Sequence, residues 1–429
     1  MHTLNMSDKK LFELPCLTNN ELTLCNLILS DNLITNVCEN ITNLTNLKSL
    51  NLNSNNLSEI PQKLPETLET LFLSKNKITT IQENIIFINS LTNLNLSHNK
   101  LNEISMYICI IPNLKKLDLS HNTITTLPDE LAYLGQLTSL KLGHNKLETI
   151  TPIMQMNNLK TLCLKHNYIK TIPNLNLLTK MKHLNLSFNY INELYEIPKL
   201  TKLSTLILSN NNIFSLSKKL TKLTKLTHLN FSNNKINKIS KNLGELKNLR
   251  VLNLSSNQIS FLPDSLQQLN KLVYFSISCN FLKDIVIDNL HQIVYLNLRN
   301  NKMSSIPKNI DKLQNLKYFD ISANTLTIID EKISNIKTLK YLHLSHNFIN
   351  TLPESLINSN IKVLSINNNK LKTLPNFIIY KPNLKLCCIN NNIKYLNPNI
   401  NTYLESNNTN INIINIRYQL KYHNNNICY

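Results

Sequence analysis

Four histidines at a regular spacing are the residues of this chain best suited to carry chemistry. Each stands directly before an asparagine, and successive members lie 22 or 23 residues apart. Imidazoles stacked at such a period can bind a metal ion or respond to pH near neutrality. No cysteine, aspartate or glutamate completes a ligand set, so the sequence predicts neither a metal site nor a cofactor. The four are His98, His121, His144 and His166.

Tyrosines recur at a similar spacing further along the chain, each just before an apolar residue. We call Tyr274, Tyr295, Tyr318 and Tyr341 the tyrosine column. Aromatic residues mixed with charges are typical of interface hot spots, so the column is predicted to bind a partner together with its polar neighbours. The alternative is that stacked tyrosines only stabilise a sheet by cross-strand packing. The polar neighbours are Arg299, Asp320 and His343.

Three lysines from consecutive repeats form the basic patch: Lys116, Lys141 and Lys165. With a formal net charge of +19, this patch favours an acidic protein surface as its target. RNA is the weaker candidate, because the stretch lacks interleaved aromatic residues for base stacking. The alternative is a merely solvated face. Asparagine, lysine and isoleucine are abundant and alanine is almost absent, as expected of an AT-rich coding sequence such as that of a giant virus or a protist.

One repeat defines the elements that position all of these residues. Seventeen asparagines recur at intervals of 21 to 23 residues, each within leucines spaced as LxxLxLxxNxL. A motif repeated at such a period indicates a solenoid, in which each unit buries its apolar face against the next. The ladder asparagines are Asn32, Asn55, Asn76, Asn99, Asn122, Asn145, Asn167, Asn189, Asn211, Asn234, Asn257, Asn280, Asn301, Asn324, Asn347, Asn369 and Asn391.

The repeat assigns a structural role to its asparagine. In the unit that ends at Asn99, Leu94 and Leu96 alternate with polar residues, as in a strand with one buried face. The asparagine stands where the chain leaves the sheet, and its amide can bond backbone groups inside the solenoid. An unpaired buried group costs roughly 1–3 kcal/mol, so Asn234→Ala is expected to destabilise more than Asn233→Ala. The ladder is predicted to include Asn99, Asn122, Asn145, Asn234, Asn257 and Asn347.

Segments such as Thr126–Leu134, with the sequence TLPDELAYL, match the motif of a known family. The chain resembles leucine-rich repeat proteins of the 23-residue Ras-suppressor type. Its 22-residue intervals from Asn145 to Asn211 are similar to repeats of protein-phosphatase regulatory subunits. The resemblance implies an α/β repeat solenoid, a horseshoe with a concave parallel β-sheet of about 17 short strands and an irregular or 3-10 convex side. It also implies a small GTPase pathway or a phosphatase catalytic subunit as partner.

The repeats divide the chain into an N-terminal cap (1–21), a solenoid (22–396) and a C-terminal cap or tail (397–429). The tail contains one more alternating pattern, which predicts a further strand that covers the last apolar edge. No segment outside the repeats is large enough for a catalytic domain. The alternating residues of the tail are Ile411, Ile413, Ile416, Tyr418 and Leu420.

Composition narrows the function further. Three glycines, none in a phosphate-binding pattern, exclude a Walker loop and a dinucleotide fingerprint. The first twenty residues carry charges and the longest apolar stretch is short, so we expect neither a secretory signal nor a membrane segment. The nine cysteines are scattered, which favours a reducing compartment. We therefore expect a soluble cytoplasmic protein, in the host cytoplasm if the source is viral. The sequence predicts a non-catalytic scaffold that binds a partner protein on its concave face. The alternative is binding of nucleic acid or an acidic partner through the lysine-rich surface.

Overall fold

The computed structural model describes residues 2–14, 23–194, 197, 199–216, 218–394, 396–400 and 402. The chain forms two compact units, Met1–Ile213 and Phe214–Tyr429, which we call the N-terminal and C-terminal units. The strand predicted from the alternation after residue 410 lies outside the described residues.

The N-terminal unit is built on ten short parallel strands, each paired with the next along the chain. In the strand Asn93–Asn95, for example, Leu94 is fully buried between two half-buried asparagines. The first strand lies in the predicted N-terminal cap and continues the sheet. The strands are β1 (His2–Asn5), β2 (Leu24–Ile28), β3 (Ser49–Asn51), β4 (Thr70–Phe72), β5 (Asn93–Asn95), β6 (Lys116–Asp118), β7 (Ser139–Lys141), β8 (Thr161–Cys163), β9 (His183–Asn185) and β10 (Thr205–Ile207).

The C-terminal unit repeats this plan with eight parallel strands. Two further strands, β11 (Ser215–Leu216) and β13 (Lys238–Ile239), pair with each other in a separate parallel sheet. Two of the eight strands carry a fully buried phenylalanine at the inward position, Phe275 and Phe319. The eight are β12 (His228–Asn230), β14 (Val251–Asn253), β15 (Tyr274–Ser276), β16 (Tyr295–Asn297), β17 (Tyr318–Asp320), β18 (Tyr341–His343), β19 (Val363–Ser365) and β20 (Lys385–Cys387).

Short 3-10 helices and one short α-helix return the chain from one strand to the next in most of the described repeats. Four 3-10 helices follow directly after a proline, whose fixed φ near −70° suits the position before such a turn. The predicted class, a repeat solenoid with a parallel sheet and a 3-10 return side, is confirmed. The helices are Glu39–Asn43, Glu83–Phe87, Met106–Cys109 (α1), Asp129–Tyr133, Thr151–Gln155, Lys218–Lys222, Leu243–Glu245, Asp264–Gln268, Ile310–Lys312, Glu331–Asn335, Glu354–Asn358 and Asn376–Tyr380.

The ladder asparagines are buried and bind the backbone of two successive turns. The Oδ1 of Asn122 accepts a hydrogen bond from the N–H of Leu101 at 3.0 Å. Its Nδ2 donates to the carbonyl oxygens of Leu96 in the preceding turn and Leu119 in its own turn, both at 3.0 Å. Asn99, Asn145, Asn257 and Asn347 make the same set of bonds. One side chain therefore closes its own turn and ties that turn to its neighbour.

The residue before each ladder asparagine has a backbone conformation that the sequence did not reveal. All seventeen have φ between 53° and 59°, in the left-handed region. Asparagine, aspartate and histidine tolerate this region better than most side chains. This requirement gives a structural reason for the four regularly spaced histidines. None of the three glycines of the chain stands at such a position.

Replacing Ala323 with glycine is expected to stabilise the protein by about 0.5–1 kcal/mol. Ala323 holds φ at 53°, which glycine adopts without the clash that its Cβ imposes. The chain has one other alanine, Ala132, inside the 3-10 helix Asp129–Tyr133, where glycine should destabilise by a similar amount. Thermal unfolding of the two variants should move the melting temperature in opposite directions, and two decreases would contradict the prediction.

Candidate functional site

The four histidines stack as one column, which Phe188 extends. Successive ring centroids lie 3.8, 3.9 and 4.2 Å apart, with interplanar angles of 11°, 13° and 18°. The ring of Phe188 lies 3.9 Å from that of His166 at 12°. Phe188 holds the same left-handed position before a ladder asparagine, and this shared position was the signal by which the sequence could have revealed it. We call His98, His121, His144, His166 and Phe188 the histidine column.

The surroundings of the column favour neutral imidazoles. Burial, followed by repulsion from His121 and His166, lowers the pKa of His144 to about 4. Burial also lowers the pKa of His121, and His98 and the Lys165 ammonium add to the effect. For His166, burial and Lys165 lower the pKa. These three rings are therefore uncharged at pH 7.

The geometry of the column does not suit a metal ion. In parallel stacked rings the nitrogen lone pairs point side by side, whereas a tetrahedral or octahedral ion needs ligands that converge on one point. Within the part of the chain that the structure describes, no group of three or more histidine, cysteine, aspartate or glutamate side chains could hold a metal ion.

The column predicts a loss of stability in mild acid. The unfolded chain takes up protons on His121, His144 and His166 near pH 6.5, whereas in the folded protein these three take them up only at lower pH. Its stabilisation is therefore complete above pH 6.5 and is lost as the pH falls towards about 4. Between pH 7.5 and 5.5 the melting temperature of wild type should fall more than that of His144→Asn, by roughly 2 °C or more.

A matched control exists in the C-terminal unit. His346 also precedes a ladder asparagine, but its neighbour across the turn is Asn368, whose Nδ2 lies 3.2 Å from the imidazole Nε2. His346→Asn therefore makes the same substitution at the same backbone position outside the histidine column. Asparagine occupies the same left-handed position natively at Asn210, so the substitutions preserve the backbone. Equal falls in all three proteins would show that stacking does not shift the imidazoles.

The tyrosine column begins strands β15, β16, β17 and β18 in the C-terminal unit. The rings of Tyr274, Tyr295 and Tyr318 stack with centroids 4.4 Å apart and interplanar angles of 6° and 7°. Tyr341 is tilted by 38° from Tyr318 at 6.3 Å and is 42% exposed. Three rings thus use their faces in cross-strand packing, as the structural alternative predicts, whereas Tyr341 presents its ring to solvent.

The hydroxyl groups of Tyr274 and Tyr318 stay protonated. Burial, followed by the nearby Asp320 carboxylate, raises the pKa of Tyr318. Burial raises the pKa of Tyr274, and the neighbouring Tyr295 adds to the effect. The Nδ2 of Asn297 lies 3.5 Å from the Tyr295 hydroxyl. Tyr274 and Tyr318 therefore offer neutral phenols that can donate and accept hydrogen bonds.

The polar neighbours of the column differ in accessibility. Arg299 is exposed and His343 is half-buried, with its ring centroid 5.1 Å from that of Tyr318. Asp320 departs from the prediction, because it is only 5% exposed. Its carboxylate accepts hydrogen bonds from the N–H and the Oγ of Ser322 at 2.9 and 2.5 Å. Asp320 therefore closes the end of its own strand and is not placed to meet a partner.

The basic patch is not one column. Lys116 is the first residue of β6, Lys141 is the last residue of β7, and Lys165 follows β8 by two residues. The Nζ of Lys141 lies 3.0 Å from Asp118 Oδ2, which offsets its charge. Lys165 lies beside the histidine column, as its effect on His166 shows, so aromatic rings do neighbour this part of the patch. RNA was the weaker candidate because no aromatic residues are interleaved with these lysines in the sequence, and the neighbouring rings become apparent only in the fold.

Two family models match the chain. The model described as "Leucine rich repeat" matches residues 89–147, 112–169, 201–259 and 291–349, and the model described as "Leucine Rich Repeat" matches residues 46–66. The chain therefore belongs to the leucine-rich repeat proteins. The resemblance to the Ras-suppressor type stays a prediction. No curated protein sequence matches the chain.

Solved structures agree with this assignment. A leucine-rich repeat protein of Leptospira interrogans is 30% identical, with a TM-score of 0.70 and coverage of 94% of this chain and 93% of that one. The internalin InlF of Listeria monocytogenes is 25% identical, with a TM-score of 0.65 and coverage of 71% and 88%. The plant peptide hormone receptor RGFR1, solved in complex with RGF2, is 26% identical, with a TM-score of 0.71 and coverage of 92% and 70%.

The family assignment limits the function. Leucine-rich repeat folds generally mediate protein–protein interaction, and such proteins are typically non-catalytic scaffolds. Within the described residues, no helix has both the length and the apolarity to cross a bilayer.

Proposed function

We propose that this protein is a non-catalytic scaffold that binds a partner protein on the outward face of the strands in its C-terminal unit, the surface predicted to be concave. The observation that carries the proposal is the ring of Tyr341, which leaves the tyrosine stack and is 42% exposed. Half-buried His343 ends the strand that Tyr341 begins, and its ring centroid lies 5.1 Å from that of Tyr318. Exposed Arg299 follows β16 by two residues and is close enough to Tyr318 to act on its pKa, so the column has charged and polar groups close by. Tyrosine and arginine are enriched among interface hot spots.

The face is suited to binding because it is already ordered. The strands of the tyrosine column are paired residue by residue, and three of its four rings are fixed by stacking. A partner therefore immobilises few side chains when it binds, which lowers the entropic cost of association. The complex of RGFR1 with RGF2 supports a protein or peptide ligand for a chain of this fold. A small GTPase and a phosphatase catalytic subunit are the first partners to test.

We also propose a cytoplasmic location. The described cysteines are free thiols, and two of them, Cys109 and Cys388, are buried with a pKa raised to about 12, chiefly by burial. Free thiols are usual in a reducing compartment. Imaging of the tagged protein in its native host tests this location, and secretion into the medium would contradict it.

The binding proposal is tested by affinity capture from the native host, followed by affinity measurement with each captured protein. Tyr341→Ser should weaken binding about 30-fold, the effect of losing a hot spot of about 2 kcal/mol. Its melting temperature should change little because the ring is exposed. Tyr295→Phe with Tyr318→Phe keeps the stack and removes two hydroxyls, so it separates packing from hydrogen bonding.

The outcomes distinguish a binding surface from a merely structural one. Loss of capture by Tyr341→Ser with an unchanged melting temperature supports the proposal. If Tyr341→Ser and the double phenylalanine variant both capture partners as well as wild type does, the column only stabilises the sheet. Ile328→Ser, at an exposed residue (62%) outside the named strands, is the control for loss of apolar surface and should not affect capture.

A further inference from the structure

A second surface lies in the N-terminal unit, where the histidine column ends at Phe188. Tyr168 and Tyr190, each directly after a ladder asparagine, form a second aromatic row with ring centroids 6.1 Å apart. Phe188, Tyr168 and Tyr190 are 44%, 44% and 50% exposed. A cavity of about 480 Å³ lies between the two rows. Its lining includes His144, His166, Tyr168, Phe188 and Tyr190.

The rings of the histidine column present their edges to a ligand. Neighbouring rings lie 3.8 to 4.2 Å apart along the column, so each covers the faces of the next. The edge of an aromatic ring is the positive part of its quadrupole, and a neutral imidazole adds one N–H donor there. A row of such edges suits carboxylates. Nucleic acid bases need open ring faces to stack upon, and the column has few to offer.

The charges around this surface also select an acidic ligand. From Asn76 to Asn211, the residues directly before and after each ladder asparagine include no aspartate or glutamate. Lys165 adds a further charge, and it is close enough to the column to lower the pKa of His121, His144 and His166. Those flanking positions include the exposed lysines Lys75, Lys77, Lys100 and Lys146.

We propose that this surface docks an extended acidic segment of a partner protein, with its carboxylates along the histidine column and one large apolar side chain in the cavity between Phe188 and the two tyrosines. Charge complementarity and the aromatic lining of the cavity support this occupant. The site is independent of the tyrosine column in the C-terminal unit, so either can fail without the other.

Docking at this site takes up protons. The groups that face the imidazoles are their own neighbours in the column, the Lys165 ammonium, and Asp118, which alone among these raises the pKa of His121. Carboxylates of a bound segment oppose the lysine and favour the imidazolium form. Binding therefore strengthens as the pH falls from 7.5 to 6.0.

The test uses the full chain and a fluorescein-labelled peptide of eight glutamates around one central phenylalanine. Fluorescence anisotropy at pH 7.5 and 6.0 compares wild type with His121→Asn/His144→Asn/Phe188→Asn, whose asparagines are native at this backbone position elsewhere in the chain. We expect about a tenfold loss of affinity in the triple variant and wild-type affinity in His346→Asn. Calorimetry in two buffers of different ionisation enthalpy should show proton uptake by wild type and less by the triple variant.

Each of the following results would overturn the proposal or part of it. Equal affinity of wild type and the triple variant would show that the peptide binds only through the net charge of the chain. A peptide with serine for phenylalanine that binds as tightly would remove the cavity from the site. A single-stranded oligouridine that binds more tightly than the peptide, and is lost in the triple variant, would assign the surface to nucleic acid. If the triple variant does not fold, Tyr168→Ser/Tyr190→Ser replaces it, with the same expected loss.

Discussion

Asn257→Ala is expected to lower the free energy of unfolding by about 3 kcal/mol, because one buried backbone N–H loses its acceptor at roughly 1–3 kcal/mol and two backbone carbonyls each lose one hydrogen bond at about 1 kcal/mol. The Oδ1 of Asn257 accepts from the N–H of Ile236 at 2.9 Å. Its Nδ2 donates to the carbonyl oxygens of Phe231 and Leu254, both at 3.0 Å. Alanine supplies none of these bonds and leaves too little room for several waters to replace them.

The adjacent Gln258 provides a matched control. It also carries a side-chain amide, but it is exposed, so Gln258→Ala should change the free energy of unfolding by no more than about 0.5 kcal/mol. Hydrogen exchange gives a second, local readout. The Ile236 amide loses its acceptor in Asn257→Ala, and it should exchange faster than in wild type and in Gln258→Ala. An unchanged rate at Ile236 would show that the bond contributes nothing.

The comparison predicted from the sequence, Asn234→Ala against Asn233→Ala, is a poor one for a reason that only the structure gives. Asn233 holds φ at 54°. Alanine at that position costs about 1 kcal/mol or more in the backbone alone, so its loss of stability would be mistaken for a hydrogen-bond effect. The left-handed residue before each ladder asparagine has no single residue type, and for that reason the repeat did not reveal it.

The features predicted well from the sequence are those that every repeat shares. Leu94 and Leu96 are inward because an apolar face of period two has only one way to be buried, and Asn99 is fixed by the turn that follows them. Features that depend on contacts between unequal side chains were not predictable in the same way. Asp320 occupies an outward strand position by pattern, yet its carboxylate is buried because Ser322 bonds it.

In the candidate sites too, the features that the repeat determines were predictable and those that depend on side-chain contacts were not. Periodicity alone placed the histidines and tyrosines in columns, because equal register positions on parallel strands become neighbours in space. Whether a ring faces its neighbour or the solvent depends on side-chain rotation, as the tilt of Tyr341 against the flat stack of Tyr295 shows. The addition of Phe188 to the histidine column required the backbone position to be recognised before the residue type.

Gly244→Ala should destabilise the protein by about 3 kcal/mol, the upper range for overpacking a closed site. Gly244 lies buried in the 3-10 helix Leu243–Glu245, against the next 3-10 helix, Asp264–Gln268. A Cβ at this position would overlap the carbonyl oxygen of Ser265 and would lie 2.9 Å from the Cβ of Gln268. From the sequence, the three glycines served only to exclude a phosphate-binding loop. The need for glycine at this position arises from the close approach of two turns, which the motif of a single repeat does not show.

Gly135 is the matched control, because a Cβ there would meet only the Tyr133 carbonyl oxygen at 3.9 Å. Gly135→Ala should therefore leave the free energy of unfolding within about 0.5 kcal/mol of wild type. Adding Gln268→Ala to Gly244→Ala should recover little, because the closest atom belongs to the Ser265 backbone and cannot be removed. Chemical denaturation of the four proteins, wild type included, measures these differences. If Gly244→Ala unfolds at the wild-type midpoint, the two turns are further apart than the structure places them.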